Sequence, residues 1–232
     1  MKRWMKKILL AGAVLGLSLS VTACAQLQNS LDVIGKSSIP TLEAVVNAAP
    51  QSAEPENGYW TIQAPDASAR VFISRDWSQT GDDLVLEWDA APFLQAGLDP
   101  AQLPEAYGYD GTAFRIGVPL GDDGNPGETG TLAEAYGRIV TQAPGLIGYH
   151  AQLNHFGVEI GQGNLLEWAR DLRANDKDMV FVLNPEPLIE AGVDPEAVEG
   201  WVYATVKVHV AGKSAEVYKF LKPFDLDKNA TN

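Results

Sequence analysis

Residues 92–100 read PFLQAGLDP, and residues 187–195 read PLIEAGVDP. The match runs without a gap from 83–105 onto 178–200, at an offset of 95 residues. Seven of its 23 positions are identical: Asp83/Asp178, Val85/Val180, Pro92/Pro187, Ala96/Ala191, Gly97/Gly192, Asp99/Asp194 and Pro100/Pro195. Leu84/Met179, Leu86/Phe181, Phe93/Leu188, Leu94/Ile189 and Leu98/Val193 keep their apolar character. A chain with this pattern builds one supersecondary unit twice, and each retained residue has a structural task in it. Asp89 and Asn184 stand where a short helix needs a cap, and the prolines that follow suit its first turn. Gly97 and Gly192 stand where a helix stops in a left-handed residue, followed by Leu98 or Val193 packing back onto it. Asp99 and Asp194 then cap a second short helix opened by proline. The unit reads strand, helix, glycine stop, Asp-Pro restart, strand. It makes a corner. Taken instead as paired acids of a two-fold site, Asp99 and Asp194 would need a task that capping does not already supply.

Periodicity extends this reading to an α+β fold, a largely antiparallel sheet with short helices built from two diverged internal repeats related by a pseudo-two-fold. Strands are expected at 59–63, 70–75, 83–89, 112–119, 149–160, 178–183 and 201–210. The last alternates most clearly, with Val202, Ala204, Val206, Val208 and Val210 on one face and Trp201, Tyr203, Thr205, Lys207 and His209 on the other. A helix is expected at 131–142, where Thr131 and Glu134 fit a capping box and Leu132, Tyr136, Ile139 and Val140 form a stripe. A second is expected at 165–174, capped by Asn164 and carrying Leu165, Leu166, Ala169 and Leu172. In this reading RVFIS (70–74) corresponds to GVEIG (157–161), and the helix is an insertion in the second copy. A single globular domain is expected over 58–225, with its halves at about 59–120 and 148–225 and a frayed tail at 226–232.

The N-terminus constrains location. Lys2, Arg3, Lys6 and Lys7 precede an apolar run from Ile8 to Val21, too short for a comfortable membrane span of ~20 residues but suited to a signal peptide. Val21-Thr22-Ala23-Cys24 resembles the lipobox of bacterial lipoproteins. The resemblance implies that residues 1–23 are a signal peptide and that Cys24 is diacylglycerated, becomes the new N-terminus and is then N-acylated (with palmitate, for instance). Two or more acyl chains, at ~0.8 kcal/mol per buried methylene, make a stable anchor. Ala25 is not the aspartate that marks inner-membrane retention, so the implied place is the cell envelope, outside the cytoplasm, at the outer membrane if the cell is Gram-negative. Residues 24–57, rich in Ala, Gln, Ser and Asn, read as the lipidated cysteine and a flexible tether.

Cys24 is the chain's single cysteine, so its lipidation leaves the mature domain without disulfides or Cys-metal sites. Removing the four basic residues of the signal leaves 13 basic against 30 acidic residues, a net charge of −17. Such a surface repels phosphate backbones and argues against nucleic-acid binding. It is compatible with cationic partners, divalent metals, or neutral ligands such as glycans.

No catalytic signature stands out. AGKS at 211–214 has Lys207 where a phosphate loop needs glycine, and GQGN at 161–164 has Leu166 in place of a third dinucleotide-loop glycine. Glu87 and Asp89 share a strand face and are the candidate acid/base pair of a glycan hydrolase. Asp122, Asp123, Asn125 and Glu128, in GDDGNPGETG, are the candidate calcium ligands. DLDKN at 225–229 lacks the glycine that an EF-hand loop requires. His150 and His155, five apart, fall on opposite faces of one strand and do not form a zinc pair by spacing; His155 and Glu159 share a face, which His209 joins only through the tertiary fold. Trp201, Tyr203 and His209 are the candidate ligand surface, and Tyr107 and Tyr109 could extend it. The leading expectation is a lipid-anchored binding or interaction lipoprotein without catalysis or a required cofactor, its protein, glycan or small-molecule ligand unidentified. An envelope hydrolase acting on glycans is the rival, and a calcium-dependent adhesion module is the third reading.

Overall fold

The computed structural model describes residues 21–48, 55–77, 81–121, 127–170, 178–210 and 213–224. Two six-stranded antiparallel sheets and short helices form an α+β fold. The first sheet contains β1 (Pro55–Glu56), β2 (Tyr59–Gln63), β3 (Ala69–Ser74), β4 (Leu84–Asp89), β5 (Gly108–Tyr109) and β6 (Ala113–Val118), in the order β1-β2-β3-β4-β6-β5. The second contains β7 (Ile147–His150), β8 (His155–Glu159), β9 (Leu165–Ala169), β10 (Met179–Leu183), β11 (Val202–Val210) and β12 (Lys213–Phe224). Read from β7, its order is β7-β8-β9-β10-β12-β11, the same order moved on by six strands.

The repeated motif forms the same local structure in both places. β4 leads into α2 (Ala91–Gln95), and β10 into α4 (Glu186–Glu190). Each helix stops at a glycine with positive φ, +101° at Gly97 and +104° at Gly192. The next amide then reaches back to the helix start: Leu98 N–H donates to Phe93 O at 3.0 Å and Val193 N–H to Leu188 O at 3.1 Å. Asp99 and Asp194 cap the 3-10 turns that follow, accepting from Ala101 N–H at 3.1 Å and Glu196 N–H at 3.2 Å. Those caps match the sequence expectation. The other pair divides: α2 and α4 start from Ala90 and Pro185, which give no side-chain cap, and Asp89 does not cap its helix, whereas Asn184 Oδ1 accepts from Glu186 N–H, the first amide of α4, at 3.4 Å.

The two corners also meet each other. Asp99 N–H donates to Ala191 O and Asp194 N–H to Ala96 O, both at 2.8 Å. A Cβ on Gly97 would lie 2.9 Å from Gly192 O, and one on Gly192 would lie 2.8 Å from Gly97 O. Only glycine permits that approach. From this joint Phe93 of α2 reaches across to pack edge-on against Trp201 and Phe220 of the second half, at 5.7 and 5.5 Å. The inner faces of both sheets then share one core, including Leu86, Trp88 and Phe114 from the first and Leu166, Trp168 and Phe181 from the second.

Three expectations need correction. Residues 165–169 are the strand β9, with no helix there, and 171–177 lie outside the described residues. Its partners decide this: β9 bonds to β8 on one side and β10 on the other, and Leu166 and Trp168 alternate into the core. Residues 149–160 form no single strand; they divide into β7, a turn and β8. The tether expectation fails over most of its length, at 24–48 and again at the strand β1. α1 (Val21–Ala48) is helical, and Leu42, Val45 and Val46 are buried against the domain. α1 packs on α3 (Leu132–Gln142) and on β7 and β9. Ser38 shares a hydrogen bond with the Tyr136 hydroxyl at 2.8 Å, and Trp168 Nε1 donates to Thr41 Oγ1 at 3.2 Å. α3 carries the expected capping box, and a Cβ on Gly35 of α1 would lie 2.5 Å from Val140 Cγ1 of α3, so the two helices meet closely there.

Candidate functional site

Side chains alternate across a strand, so a sheet with one face on the core presents the other elsewhere. In the second sheet that other face is concave and largely apolar. It encloses a cavity of about 840 Å³, within the range of ~300–1,000 Å³ typical of small-molecule sites. Leu165, Val180, Val182, Val206, Leu221 and Pro223 supply its apolar wall. The sheet curls far enough for its two edges to touch through a side chain: His150 Nε2 on β7 donates to the Lys207 carbonyl on β11 at 3.1 Å. Part of the floor is hollow because Gly148 and Gly157 face each other across β7 and β8. A Cβ at Gly148 would meet nothing within 4 Å.

The polar groups form a small set. His150 and His155 are direct cross-strand partners in the β7–β8 hairpin, which puts them on one face rather than the opposite faces expected of a single strand. Between them and β10 stands Glu167 of β9. Its Oε1 lies 3.6 Å from His150 Nδ1, and its Oε2 lies 3.8 Å from His155 Nδ1. Burial pushes the Glu167 carboxyl up, but the two imidazoles more than offset this and hold it below the usual carboxylate range. Glu167 in turn raises His150 above the ordinary imidazole value against the effect of burial, and the Lys207 carbonyl adds to the rise. His155 is 6% exposed, and its Nδ1 has no hydrogen-bond partner. At the other end of the cavity Lys219 Nζ donates to Gly163 O at 3.1 Å. Burial lowers its ammonium below the usual lysine value, while Glu159, Glu167 and Glu186 act the other way.

The residues singled out from sequence lie elsewhere. Glu87 is held by Arg70 Nε at 3.0 Å on the outer face of the first sheet. Asp89 is exposed, with its carboxyl raised by partial burial and by Asp66 despite Arg70 and Lys222. Neither lines the cavity. Trp201 is buried under Lys222 and against Phe93, so it is core rather than ligand surface. Tyr203 stacks on Tyr218 at 4.8 Å and packs on Phe220 at 5.2 Å. The cavity uses the opposite, valine face of β11, through Val206. The side chain of His209 lies outside the described residues, as do Asp122, Asp123, Asn125 and 225–229. Glu128 pairs with Arg75 at 3.2 Å. Among the described residues no group of three or more His, Cys, Asp or Glu side chains is arranged to hold a metal ion. Tyr107 is buried edge-on against Trp88, while Tyr109 is partly exposed and stacked on Phe114.

Sequence reasoning missed Glu167 and Lys219 because they stand on strands it did not assign. The available signal was LLEWA itself, where a glutamate sits between a leucine and a tryptophan with a two-residue alternation. No protein-family model, curated protein or solved structure matches this chain.

Proposed function

We propose that this protein is a lipid-anchored, extracytoplasmic binding protein whose ligand is a small molecule held in the cavity of the second sheet. The cavity carries the reading: an apolar wall with a few convergent polar groups is the usual form of a ligand site. Binding is the reading because the polar groups are few and largely engaged, Glu167 with the two imidazoles and Lys219 with the Gly163 carbonyl, beside a wall that is mostly aliphatic. Attachment in this reading rests on the lipobox cysteine, Cys24; among the described residues no helix is long and apolar enough to cross a membrane. In that arrangement the helical residues from Cys24 to Ile34, which packs against the core, span ~15 Å. The domain then stands close to the lipid surface on a helix instead of on a loose tether. The matching strand orders and the paired corners favour two diverged copies of one unit, of which the second has become a container.

A thermal-shift screen of the full chain against small metabolites, glycans and metal ions tests this, run in parallel with Gly148→Trp. A ligand at a hundred times its dissociation constant stabilises the folded state by about 2.7 kcal/mol. The expected result is a ligand that raises the melting temperature of the wild type and not of the variant. A ligand that stabilises both equally places binding outside the cavity and overturns the assignment.

A further inference from the structure

The distribution of polar groups along the cavity narrows the ligand class, on the premise that the cavity is the binding site. Lys219, Leu221 and Pro223 are alternate residues of β12 and share its cavity face. Pro223 is level with Val180 and Glu167, and Leu221 with Val182 and Leu165. Lys219 therefore stands about four residues, ~13 Å, along the strand from the level of Glu167. The space between is bounded by Leu165, Val182 and Leu221. The site is elongated, with an ammonium at one end and an aliphatic wall along its length.

The two ends differ in what they still need. At the Glu167 end the carboxylate already has an imidazole toward each oxygen, so its charge is compensated within the protein. At the Lys219 end the ammonium has three donors, and its hydrogen bond goes to one carbonyl, Gly163 O. No carboxylate among the described residues lies within ion-pair distance of it. A partly buried ammonium with donors to spare calls for an anion, and the wall beside it calls for a hydrocarbon. We infer that the cavity binds a single-chain carboxylate amphiphile, its head on Lys219 Nζ and its chain along Leu165, Val182, Leu221 and Val180.

Dodecanoate, 1-dodecanol and dodecyltrimethylammonium, titrated as monomers into the full chain by calorimetry, separate head from tail. Dodecanoate should bind tightest and the cation weakest. Lys219→Gln should weaken dodecanoate by about tenfold to a hundredfold, the range for loss of a charged hydrogen bond. The same change should leave dodecanol within about threefold, and Lys219→Arg should restore most of the loss. Gly148→Trp should remove all chain binding. Dodecanol binding as tightly as dodecanoate, or an equal loss of both in Lys219→Gln, overturns the head-group assignment while leaving a binding cavity. Tightest binding of the cation overturns it too and moves the head to Glu167. Failure of all three probes to bind, or dodecanoate binding unchanged in Gly148→Trp, overturns the proposal, and the latter shows that the chain is taken up elsewhere.

Discussion

The two sheets have the same strand order and, over their central strands, the same register, yet on its outer face one carries arginines laid over an aromatic ring and the other a hollow. β3 pairs with β4 so that Arg70 is opposite Glu87 and Phe72 opposite Val85. Ninety-five residues later β9 pairs with β10 so that Leu165 is opposite Val182 and Glu167 opposite Val180. The ion pair of the first sheet is thus replaced by two aliphatic residues in the second, and its half-buried outer-face aromatic, Phe72, by a carboxylate. In the first sheet Phe72 is covered by the guanidinium groups of Arg70 and Arg115, at 5.8 and 5.7 Å, with Tyr59 edge-on at 6.0 Å. Long cationic side chains lie flat over an aromatic ring and fill that surface. In the second sheet His155 takes the register position of Tyr59, and Leu221 takes that of Arg115. None of these is long enough to cover the face. Two sheets of one strand order thus differ in a handful of outer-face residues, which cover the face of the first and leave a hollow in the second.

The two sheets also differ in what supports them. α1 lies against β7 and β9 of the second sheet, and α3 reaches β3 of the first. The largest expected effect follows. A chain starting at residue 58 removes Leu42, Val45 and Val46 from the core, and at about 1.5–3 kcal/mol for each buried aliphatic side chain it should lose roughly 5 kcal/mol. Urea denaturation checks this. A midpoint equal to that of the full chain would mean that α1 does not contribute to the second sheet.

Next in size is the joint between the halves. Gly192→Val places a branched side chain at φ +104° with its Cβ 2.8 Å from Gly97 O. Strain and a backbone clash together should cost about 3 kcal/mol or more. Gly111→Ala serves as the reference, since Gly111 has φ +101° and open space around its Cβ. It should cost only about 1 kcal/mol. Equal losses at the two glycines would reduce the repeated glycine to an ordinary turn residue and remove the argument that the corners specify each other.

The legibility of this architecture in the sequence followed local chemistry. The corner was readable because glycine stops and Asp-Pro restarts act within a few residues, and α3 was readable through Thr131 and Glu134. β11 was readable because nine residues alternate without interruption. β9 was not, because Asn164 ahead of Leu165, Leu166 and Ala169 imitates a capped helix, and only hydrogen bonds to β8 and β10 decide otherwise. That one misreading shifted the repeat by a strand, matching RVFIS to GVEIG when its register partner is LLEWA. It also hid the site. His150 and His155 look unrelated at a spacing of five until the turn between them makes them partners, and Glu167 joins them only through β9.

The smallest effects come from comparing the two outer-face carboxylates. The pair Arg70–Glu87 lies on the outer surface of the first sheet, with the arginine about a third exposed, so Glu87→Gln, which leaves Arg70 in place over Phe72, should cost only about 0.5 kcal/mol and less at high salt. Glu167→Gln leaves two imidazoles without their carboxylate in an apolar cavity, and should cost about 1–3 kcal/mol with a distinct pH dependence. Glu167 is depressed below its ordinary value of 4.5, so its contribution is present above that pH and is lost as pH falls through the folded value. His150 is raised above its ordinary value of 6.5, so its contribution is present below that pH and is lost as pH rises through the folded value. The two overlap fully between about pH 4.5 and 6.5. The stability difference between wild type and Glu167→Gln should therefore peak in that interval and shrink toward pH 8 as His150 loses its proton. A difference that stays constant from pH 5 to 8 would show that Glu167 is held by packing alone, and the contrast between the two sheets would then be one of shape without charge.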